Sequence, residues 1–220
     1  MKIFLDTANI DEIRKAFSLG VLDGVTTNPS LAAKENKNFD QLVKEILEVF
    51  KGTDGIVNLE VVSEKADDMT REGLKLANIS KNVVVKIPCI EEGLKACKIL
   101  SKAKVRVNVT LCFSASQALL AAKNGAYFIS PFIGRLDDQN DNGMRVVEEI
   151  KKIYMNYSFK TQILVASVRT ARQVVEAAVI GADVCTVPYG VFEKLYKHPL
   201  TDIGQKKFLE DWYSYKARFR

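Results

Sequence analysis

The most apolar strand-like stretch of this chain reads Val83-Val84-Val85-Lys86-Ile87-Pro88, with a lysine set among β-branched residues. Such a run predicts a strand that is buried on both faces, as in a parallel sheet. A buried charge is costly, and burial lowers the pKa of a lysine, so the amine is favoured in its neutral, nucleophilic form. The alternative is a lysine at a strand end whose long stem reaches back to solvent.

Short β-branched runs of this kind alternate with longer amphipathic segments along the whole chain. The predicted strands are Ile3–Asp6, Gly24–Thr27, Ile56–Val61, Val83–Ile87, Arg106–Thr110, Tyr127–Ser130, Ile163–Ser167 and Val184–Val187. The predicted helices are Ile10–Leu19, Phe39–Phe50, Ala66–Ala77, Glu92–Ser101, Ser114–Asn124, Gly143–Tyr157, Thr170–Ile180 and Gly190–Lys197. Glycines stand where several of these helices should end.

Eight strands, each followed by a helix, predict one α/β domain over residues 1–220, with a parallel sheet closed into a (β/α)8 TIM barrel. An open doubly wound sheet is the alternative, but no Gly-rich dinucleotide fingerprint follows the first strand. A tail of about residues 204–220, rich in aromatic side chains such as Trp212, predicts an extra C-terminal helix. The sequence alone favours packing of this helix across the barrel's own surface over docking on a neighbouring subunit.

Composition narrows the class of protein. The chain is 47% apolar and 27% charged, which is typical of globular proteins. Its net charge of +5 is spread along the sequence without a basic block interleaved with aromatics, so no nucleic-acid partner is expected. No stretch approaches the ~20 apolar residues of a membrane span. Four scattered cysteines without a Cys-x-x-Cys pair suit reduced thiols, so we expect a cytoplasmic protein with no membrane partner.

Polar side chains follow seven of the eight predicted strands, at the end where a TIM barrel carries its active site. In strand order they are Asp6; Thr26, Thr27 and Asn28; Glu60; Lys86; Asn108 and Thr110; Ser130 and Arg135; and Ser167 with Arg169. Seven such ends converging on one mouth predict an active site. It would hold an amine, two carboxylates, hydroxyls, amides and two guanidiniums.

This inventory indicates Schiff-base chemistry. The Lys86 amine can condense with a ketone and form an iminium ion. Cleavage of the neighbouring carbon–carbon bond needs a base for the proton of the departing hydroxyl, and Asp6 or Glu60 can act directly or through a water held by Thr110.

Two further observations restrict the reaction. Arg135 and Arg169 offer bidentate clamps for a phosphate. His198 is the only histidine, so a zinc aldolase site of the usual kind is not expected, and we predict neither metal nor cofactor. The alternative of another class is a barrel that binds a sugar phosphate without turnover, but such a protein has no need of an amine, an acid/base and a water holder together.

Several of these motifs resemble those of the transaldolase family, in its small subfamily that also contains fructose-6-phosphate aldolases. They are Leu5-Asp6-Thr7-Ala8-Asn9, Gly24-Val25-Thr26-Thr27-Asn28-Pro29-Ser30, Val85-Lys86-Ile87-Pro88, Asn108-Val109-Thr110, Pro131-Phe132-Ile133-Gly134-Arg135 and Ala166-Ser167-Val168-Arg169. The resemblance implies transfer of a dihydroxyacetone unit in the pentose phosphate pathway. Sedoheptulose 7-phosphate and glyceraldehyde 3-phosphate would give erythrose 4-phosphate and fructose 6-phosphate.

The resemblance also implies a role for each matching position. Lys86 would form the Schiff base, Asp6 would be the acid/base, and Glu60 with Thr110 would hold the catalytic water. The substrate-binding set would be Thr27, Asn28, Asn108, Ser130, Phe132, Arg135, Ser167 and Arg169, with the two arginines and Ser167 on the phosphate.

Glu60 and Phe132 follow the transaldolase pattern, because the aldolase members carry glutamine and tyrosine at these places. Fructose-6-phosphate aldolase activity, which would release dihydroxyacetone and glyceraldehyde 3-phosphate, is the alternative. The family's subunits form rings, which implies a homo-oligomer, a decamer or pentamer, with the terminal helix reaching a neighbour.

Overall fold

The computed structural model describes residues 1–219 and contains a closed barrel of eight parallel strands that neighbour one another in chain order. The strands are β1 (Lys2–Asp6), β2 (Gly24–Thr26), β3 (Ile56–Glu60), β4 (Val83–Pro88), β5 (Val107–Cys112), β6 (Phe128–Pro131), β7 (Gln162–Val165) and β8 (Val184–Val187). The predicted (β/α)8 barrel is confirmed, and the open doubly wound sheet is excluded.

Helices connect the strands on the outside of the barrel. They are α1 (Ile10–Ser18), α2 (Pro29–Ala32), α3 (Phe39–Val49), α4 (Ala66–Ala77), α5 (Glu91–Lys102), α6 (Ala115–Lys123), α7 (Ile133–Asp137), α8 (Gly143–Asn156), α9 (Ala171–Ile180), α10 (Tyr189–Lys194) and α11 (Pro199–Ala217). The short helices α2 and α7 were not expected from the sequence. Both follow strand ends, after β2 and β6, so they lie where a barrel places its active-site loops.

Two strands end two residues away from the prediction, for reasons visible in the backbone, and no other strand end differs by more than one residue. β5 continues to Cys112, and its register with β6 shifts between Val109 and Cys112, where Leu111 has a φ of 55°. This irregularity lies directly beside Thr110. β7 ends at Val165 rather than Ser167, because Ser167 has a φ of 61°, a left-handed conformation that a strand does not contain.

The barrel interior is filled by its own apolar cluster, separate from the larger core between strands and helices. Large side chains from six of the strands meet there, among them Phe4 and Phe128, whose rings contact edge to face at 6.1 Å between centroids. All cluster members are buried. The polar strand ends therefore stand above a packed apolar floor rather than around an open channel.

The C-terminal helix α11 starts at Pro199, five residues before the predicted tail, and His198 caps it by accepting from the Leu200 N–H. None of its described residues is buried, and Phe208 and Trp212 are 74% and 50% exposed. The expected packing across the barrel's own surface is therefore wrong. Arg220, the last residue of the predicted tail, lies outside the described residues. Among helices of residues 1–219, none has the length and apolar character to cross a membrane.

Candidate active site

A cavity of about 400 Å³ opens at the carboxyl ends of the strands. Ten of the twelve predicted site residues line it: Asp6, Asn28, Lys86, Asn108, Thr110, Ser130, Phe132, Arg135, Ser167 and Arg169. They come from β1, from β4 to β6 and from the segments after β2, β6 and β7. The convergence expected from the strand ends is thus present in three dimensions.

Lys86 is held inside the barrel and is only 5% exposed, so the alternative of a stem reaching bulk solvent is wrong. Its Nζ donates to the backbone oxygen of Thr27 at 2.8 Å and lies 3.0 Å from Glu60 Oε2. Strand register explains the pair, because Lys86 on β4 stands directly opposite Glu60 on β3. Nucleophilic attack from this ion pair requires that a proton leaves Nζ first.

Glu60 and Thr27 are the two predicted residues outside the cavity lining. Both act on the lysine instead, Glu60 through its carboxylate and Thr27 through its carbonyl. The hydroxyl of Thr27 donates to the backbone oxygen of Asn58 at 2.9 Å, so it is engaged in the sheet.

Asp6 stands at the end of β1 and accepts a hydrogen bond from Thr26 Oγ1 at 2.7 Å. Burial raises the pKa of the Asp6 carboxyl above its ordinary value of 3.8, while the Thr26 bond and the Lys86 charge oppose this rise. Thr26 has only one hydroxyl proton and gives it to Asp6, so Thr186 donates in the 2.7 Å contact between the two threonines. A hydroxyl chain thus supports the carboxylate.

Thr110 faces the cavity from β5, next to the irregular end of that strand. Its side chain is fully buried, and its hydroxyl forms no hydrogen bond with any described residue. Buried hydroxyls in proteins are nearly always paired, with protein or with ordered water. Thr110 is therefore suited to hold a water or a substrate atom inside the cavity.

Three buried polar side chains form a hydrogen-bonded wall on the β3, β5 and β6 side of the cavity. Asn108 Nδ2 donates to Asn58 Oδ1 at 3.0 Å, and Ser130 Oγ donates to Asn108 Oδ1 at 2.7 Å. Asn58 in turn donates from Nδ2 to the backbone oxygen of Val25 at 3.2 Å. The amides are thereby fixed in orientation.

The outer part of the cavity carries two guanidinium groups, Arg135 on α7 and Arg169 after β7. Arg169 Nη2 lies 2.8 Å from Asp138 Oδ2, and both side chains are 52% exposed. Gly134 allows this packing, since a Cβ there would lie 2.1 Å from the Ser167 oxygen and 2.7 Å from Arg169 Nε. With Ser167 beside them, the arginines can bind a phosphate dianion.

Three residues of the site were not named from the sequence, and Thr26 was named only as a polar strand end without a role. Asn58 acts through its neighbours, whereas Thr186 and Lys34 line the cavity, as does Thr26, which also donates to Asp6. Thr186 could have been found by strand periodicity, because it shares the inward face of β8 with Val184. Lys34 follows the unpredicted helix α2, and no pattern in its surroundings points to the cavity.

The arrangement supports carbonyl chemistry at an amine. Lys86 can form an imine with a ketone, Asp6 can exchange a proton with a neighbouring hydroxyl, and the arginines can hold an anionic end at a distance. Within residues 1–219, no cluster of three or more His, Cys, Asp or Glu side chains has the geometry to hold a metal ion.

Comparisons with known proteins agree with this chemistry. The family model described as Transaldolase/Fructose-6-phosphate aldolase matches residues 3–218. A probable transaldolase of Aquifex aeolicus is 58% identical over 212 residues, which span 96% of each chain. A probable transaldolase of Petrotoga mobilis is 55% identical over 216 residues, 98% of this chain and 96% of its own.

A solved structure resembles the barrel with far lower sequence similarity. Thiamine phosphate pyrophosphorylase from Pyrococcus furiosus matches over 85% of each chain with a TM-score of 0.59 and 14% identity. This likeness concerns the fold alone.

Proposed function

Because the chain belongs to the transaldolase/fructose-6-phosphate aldolase family, we propose that it is a transaldolase. It moves a dihydroxyacetone unit from sedoheptulose 7-phosphate to glyceraldehyde 3-phosphate and yields erythrose 4-phosphate and fructose 6-phosphate. The observation that carries this proposal is a buried lysine amine, paired with Glu60, in one cavity with the Asp6 carboxyl and the unpartnered Thr110 hydroxyl.

The reaction follows from the positions of these groups. Nζ of Lys86 attacks the C2 carbonyl of the ketose, water leaves, and an iminium ion forms. Asp6 then takes the proton of the C4 hydroxyl, the C3–C4 bond breaks, and its electron pair moves into the enamine while the aldehyde departs. The acceptor aldehyde enters, Asp6 returns the proton as the new bond forms, and water hydrolyses the iminium ion.

Glu60 takes up the proton of the amine, and Thr110 binds the water that is released when the imine forms. Glu60 Oε2 is within 3.0 Å of Nζ, so it can take the proton that must leave the amine before attack. The Thr110 hydroxyl is buried, faces the cavity and has a free donor and acceptor for the water that is expelled and later consumed.

Trapping of the iminium ion tests the covalent step. Borohydride reduction in the presence of fructose 6-phosphate, followed by peptide mass mapping, is expected to place a dihydroxyacetone adduct on Lys86. Lys95, an exposed lysine on α5, serves as the internal control and should stay unmodified. A barrel that only binds sugar phosphates would show no adduct, and this result would overturn the proposal.

Fructose-6-phosphate aldolase activity is the competing function, and Phe132 bears on it. The ring lines the cavity and contacts Phe113 edge to face at 5.8 Å between centroids. Phenylalanine cannot deliver a proton to the enamine, which can then persist until an acceptor arrives. We expect Phe132→Tyr to raise fructose 6-phosphate cleavage relative to transfer, whereas Phe113→Tyr should not. An unchanged ratio in assays of both reactions would contradict this explanation.

We also propose that the protein is a cytoplasmic homo-oligomer. The four cysteines are unpaired and buried, in keeping with a reducing compartment. The aromatic face of the C-terminal segment, formed by Phe208, Trp212, Tyr215 and Phe219, is unburied on a single chain. Sedimentation analysis should show assemblies that Trp212→Ser weakens, whereas Tyr157→Ser, which changes an exposed aromatic residue at the C-cap of α8, leaves them intact. A monomeric wild type would refute the oligomer.

A further inference from the structure

Asn58 is the innermost member of the hydrogen-bonded wall and does not touch the cavity itself. It is fully buried on β3 and is linked to Asn108 on β5, which is linked to Ser130 on β6. A leucine, which has the same branched arrangement of side-chain heavy atoms, would be the usual residue at a buried strand position. Packing alone therefore does not explain a buried amide at this position.

The hydrogen bonds of the wall can run in one direction only. The backbone oxygen of Val25 can only accept, so Asn58 must face it with Nδ2 and present Oδ1 to Asn108. Asn108 must therefore donate from Nδ2 to Asn58 Oδ1, which turns its own Oδ1 towards Ser130. Ser130 must then donate its single hydroxyl proton to Asn108 Oδ1.

This order of hydrogen bonds determines which donor and acceptor groups Asn108 and Ser130 present to a ligand. The Ser130 oxygen retains its lone pairs and acts as an acceptor, and Asn108 retains one N–H and acts as a donor. Both residues line the cavity. A hydroxyl group, which donates and accepts at once, matches this pair, whereas a methyl group would leave both buried groups unpaired at considerable cost.

The position of the wall in the barrel selects one hydroxyl of the donor. β5 and β6 lie across the closed barrel from β1, which carries Asp6, and from β2, which Asn28 follows. With C2 on Lys86 and the C4 hydroxyl at Asp6, the chain leaves C2 towards β1. The C1 hydroxymethyl group, on the other side of C2, then faces the wall.

We propose that Asn58 is a positioning residue that fixes the polarity of Asn108 and Ser130 and so makes the site select ketose donors that carry a hydroxyl at C1. The inference rests on the proposed transaldolase function. Without the Asn58 amide, the Asn108 side-chain amide can rotate and exchange the positions of its oxygen and nitrogen. The Ser130 hydroxyl can then direct its proton to another acceptor. Selection for the hydroxyl is then weakened although every group that touches substrate is still present.

The test compares two donors, fructose 6-phosphate and 1-deoxyfructose 6-phosphate, in the transfer reaction. We expect the wild type to prefer the hydroxylated donor in kcat/KM by on the order of 100-fold. Asn58→Leu and the smaller Asn58→Ser should each reduce this preference about tenfold, chiefly by lowering kcat/KM for the hydroxylated donor. Two variants of different size guard against one that fails to fold.

Thr161→Val is the matched control. It removes one buried hydrogen bond, from Thr161 Oγ1 to the Ala126 oxygen at 2.7 Å, next to the amino-terminal end of β7. Its donor preference should equal that of the wild type. The inference is overturned if the Asn58 variants lose activity equally on both donors, if their preference is unchanged, or if the wild type does not discriminate. A wild type without transfer activity on either donor would instead refute the proposed function.

Discussion

The interior of the cavity and its rim hold their side chains by opposite means. Interior residues such as Lys86, Asn108 and Ser130 stand on paired strands, are buried, and contact polar partners from other strands or strand ends. Rim residues such as Arg169 follow the strands, are half exposed and pair with solvent-exposed partners. The interior is thus built for one fixed geometry, and the rim for exchange with a bound anion.

The same contrast appears in the two ion pairs of the site. Lys86–Glu60 is nearly dry, with side chains 6% and 14% exposed, so loss of one partner leaves an uncompensated charge. Arg169–Asp138 is open to water, where such pairs contribute little. Substitutions in the interior should therefore change rate and stability together, and substitutions at the rim should change substrate affinity alone.

Removal of the amine should have the largest effect. Lys86→Met is expected to lower transfer activity by on the order of 10⁴-fold or more, because no iminium ion can form. It should also destabilise the protein by about 3 kcal/mol, since Glu60 loses its partner. Lys86→Met/Glu60→Gln should recover most of this stability in urea unfolding but none of the activity. Equal stabilities of the two variants would show that the pair is not coupled.

Asp6→Asn should change rate and stability in opposite directions. Activity is expected to fall by about 10²- to 10⁴-fold, because proton transfer at the C4 hydroxyl is lost. Folding raises the pKa of Asp6 above 3.8, so this carboxyl favours folding below that pH and opposes folding once the pH exceeds its folded pKa. The variant should thus be more stable than the wild type at pH 7, and this difference should shrink as the pH falls through the raised folded pKa of Asp6 and vanish below 3.8.

Asp211→Asn, which changes an exposed carboxylate on α11, provides the control for this measurement. It should alter neither transfer activity nor the pH dependence of unfolding to a comparable extent. If Asp6→Asn were less stable than the wild type at neutral pH, the Thr26 bond rather than burial would dominate at this carboxyl.

Gly134→Ala probes the junction between the interior and the rim. The added methyl group would clash with the Ser167 backbone oxygen and with Arg169 Nε, and so displace the guanidinium. We expect KM for phosphorylated donors to rise about tenfold with kcat changed less than threefold, the loss being that of about one charge-assisted hydrogen bond. Gly190→Ala, where a Cβ meets nothing within 4 Å, is the control. A fall in kcat at unchanged KM would mean that Gly134 supports the catalytic geometry of the interior rather than phosphate binding at the rim.

The interior was largely predictable from the sequence, and the reason is the geometry of strands. Lys86, Asp6 and Ser130 lie within the last three residues of their strands, and all carboxyl ends of a parallel barrel meet at one mouth. Their partners were less predictable. Asn58 and Thr186 sit inside strands that read as ordinary apolar runs, and their roles depend on cross-barrel neighbours that no local pattern specifies.

Sequence patterns predicted the rim and the terminal helix less well than the interior. The turns of α2 and α7 are too short to show a helical period, so Lys34 was not assigned to the cavity. The start of α11 was misplaced because its first turn, after the His198–Pro199 cap, carries none of the aromatic residues that marked the tail. Its aromatic residues suggested a partner on the same chain, but amphipathic composition alone does not specify which surface covers a helix.

The smallest expected effect concerns Asp138, which competes with a bound phosphate for Arg169. Asp138→Asn removes the competing carboxylate, so KM for fructose 6-phosphate should fall about twofold to threefold at low salt, in line with the weak energies of exposed ion pairs. The gain should fade as ionic strength shortens the Debye length. Glu149→Gln, which breaks the exposed 3.1 Å pair with Arg145 on α8, should leave KM unchanged. A rise in KM for Asp138→Asn would mean that Asp138 holds Arg169 in its binding position, and the rim would then be as preorganised as the interior.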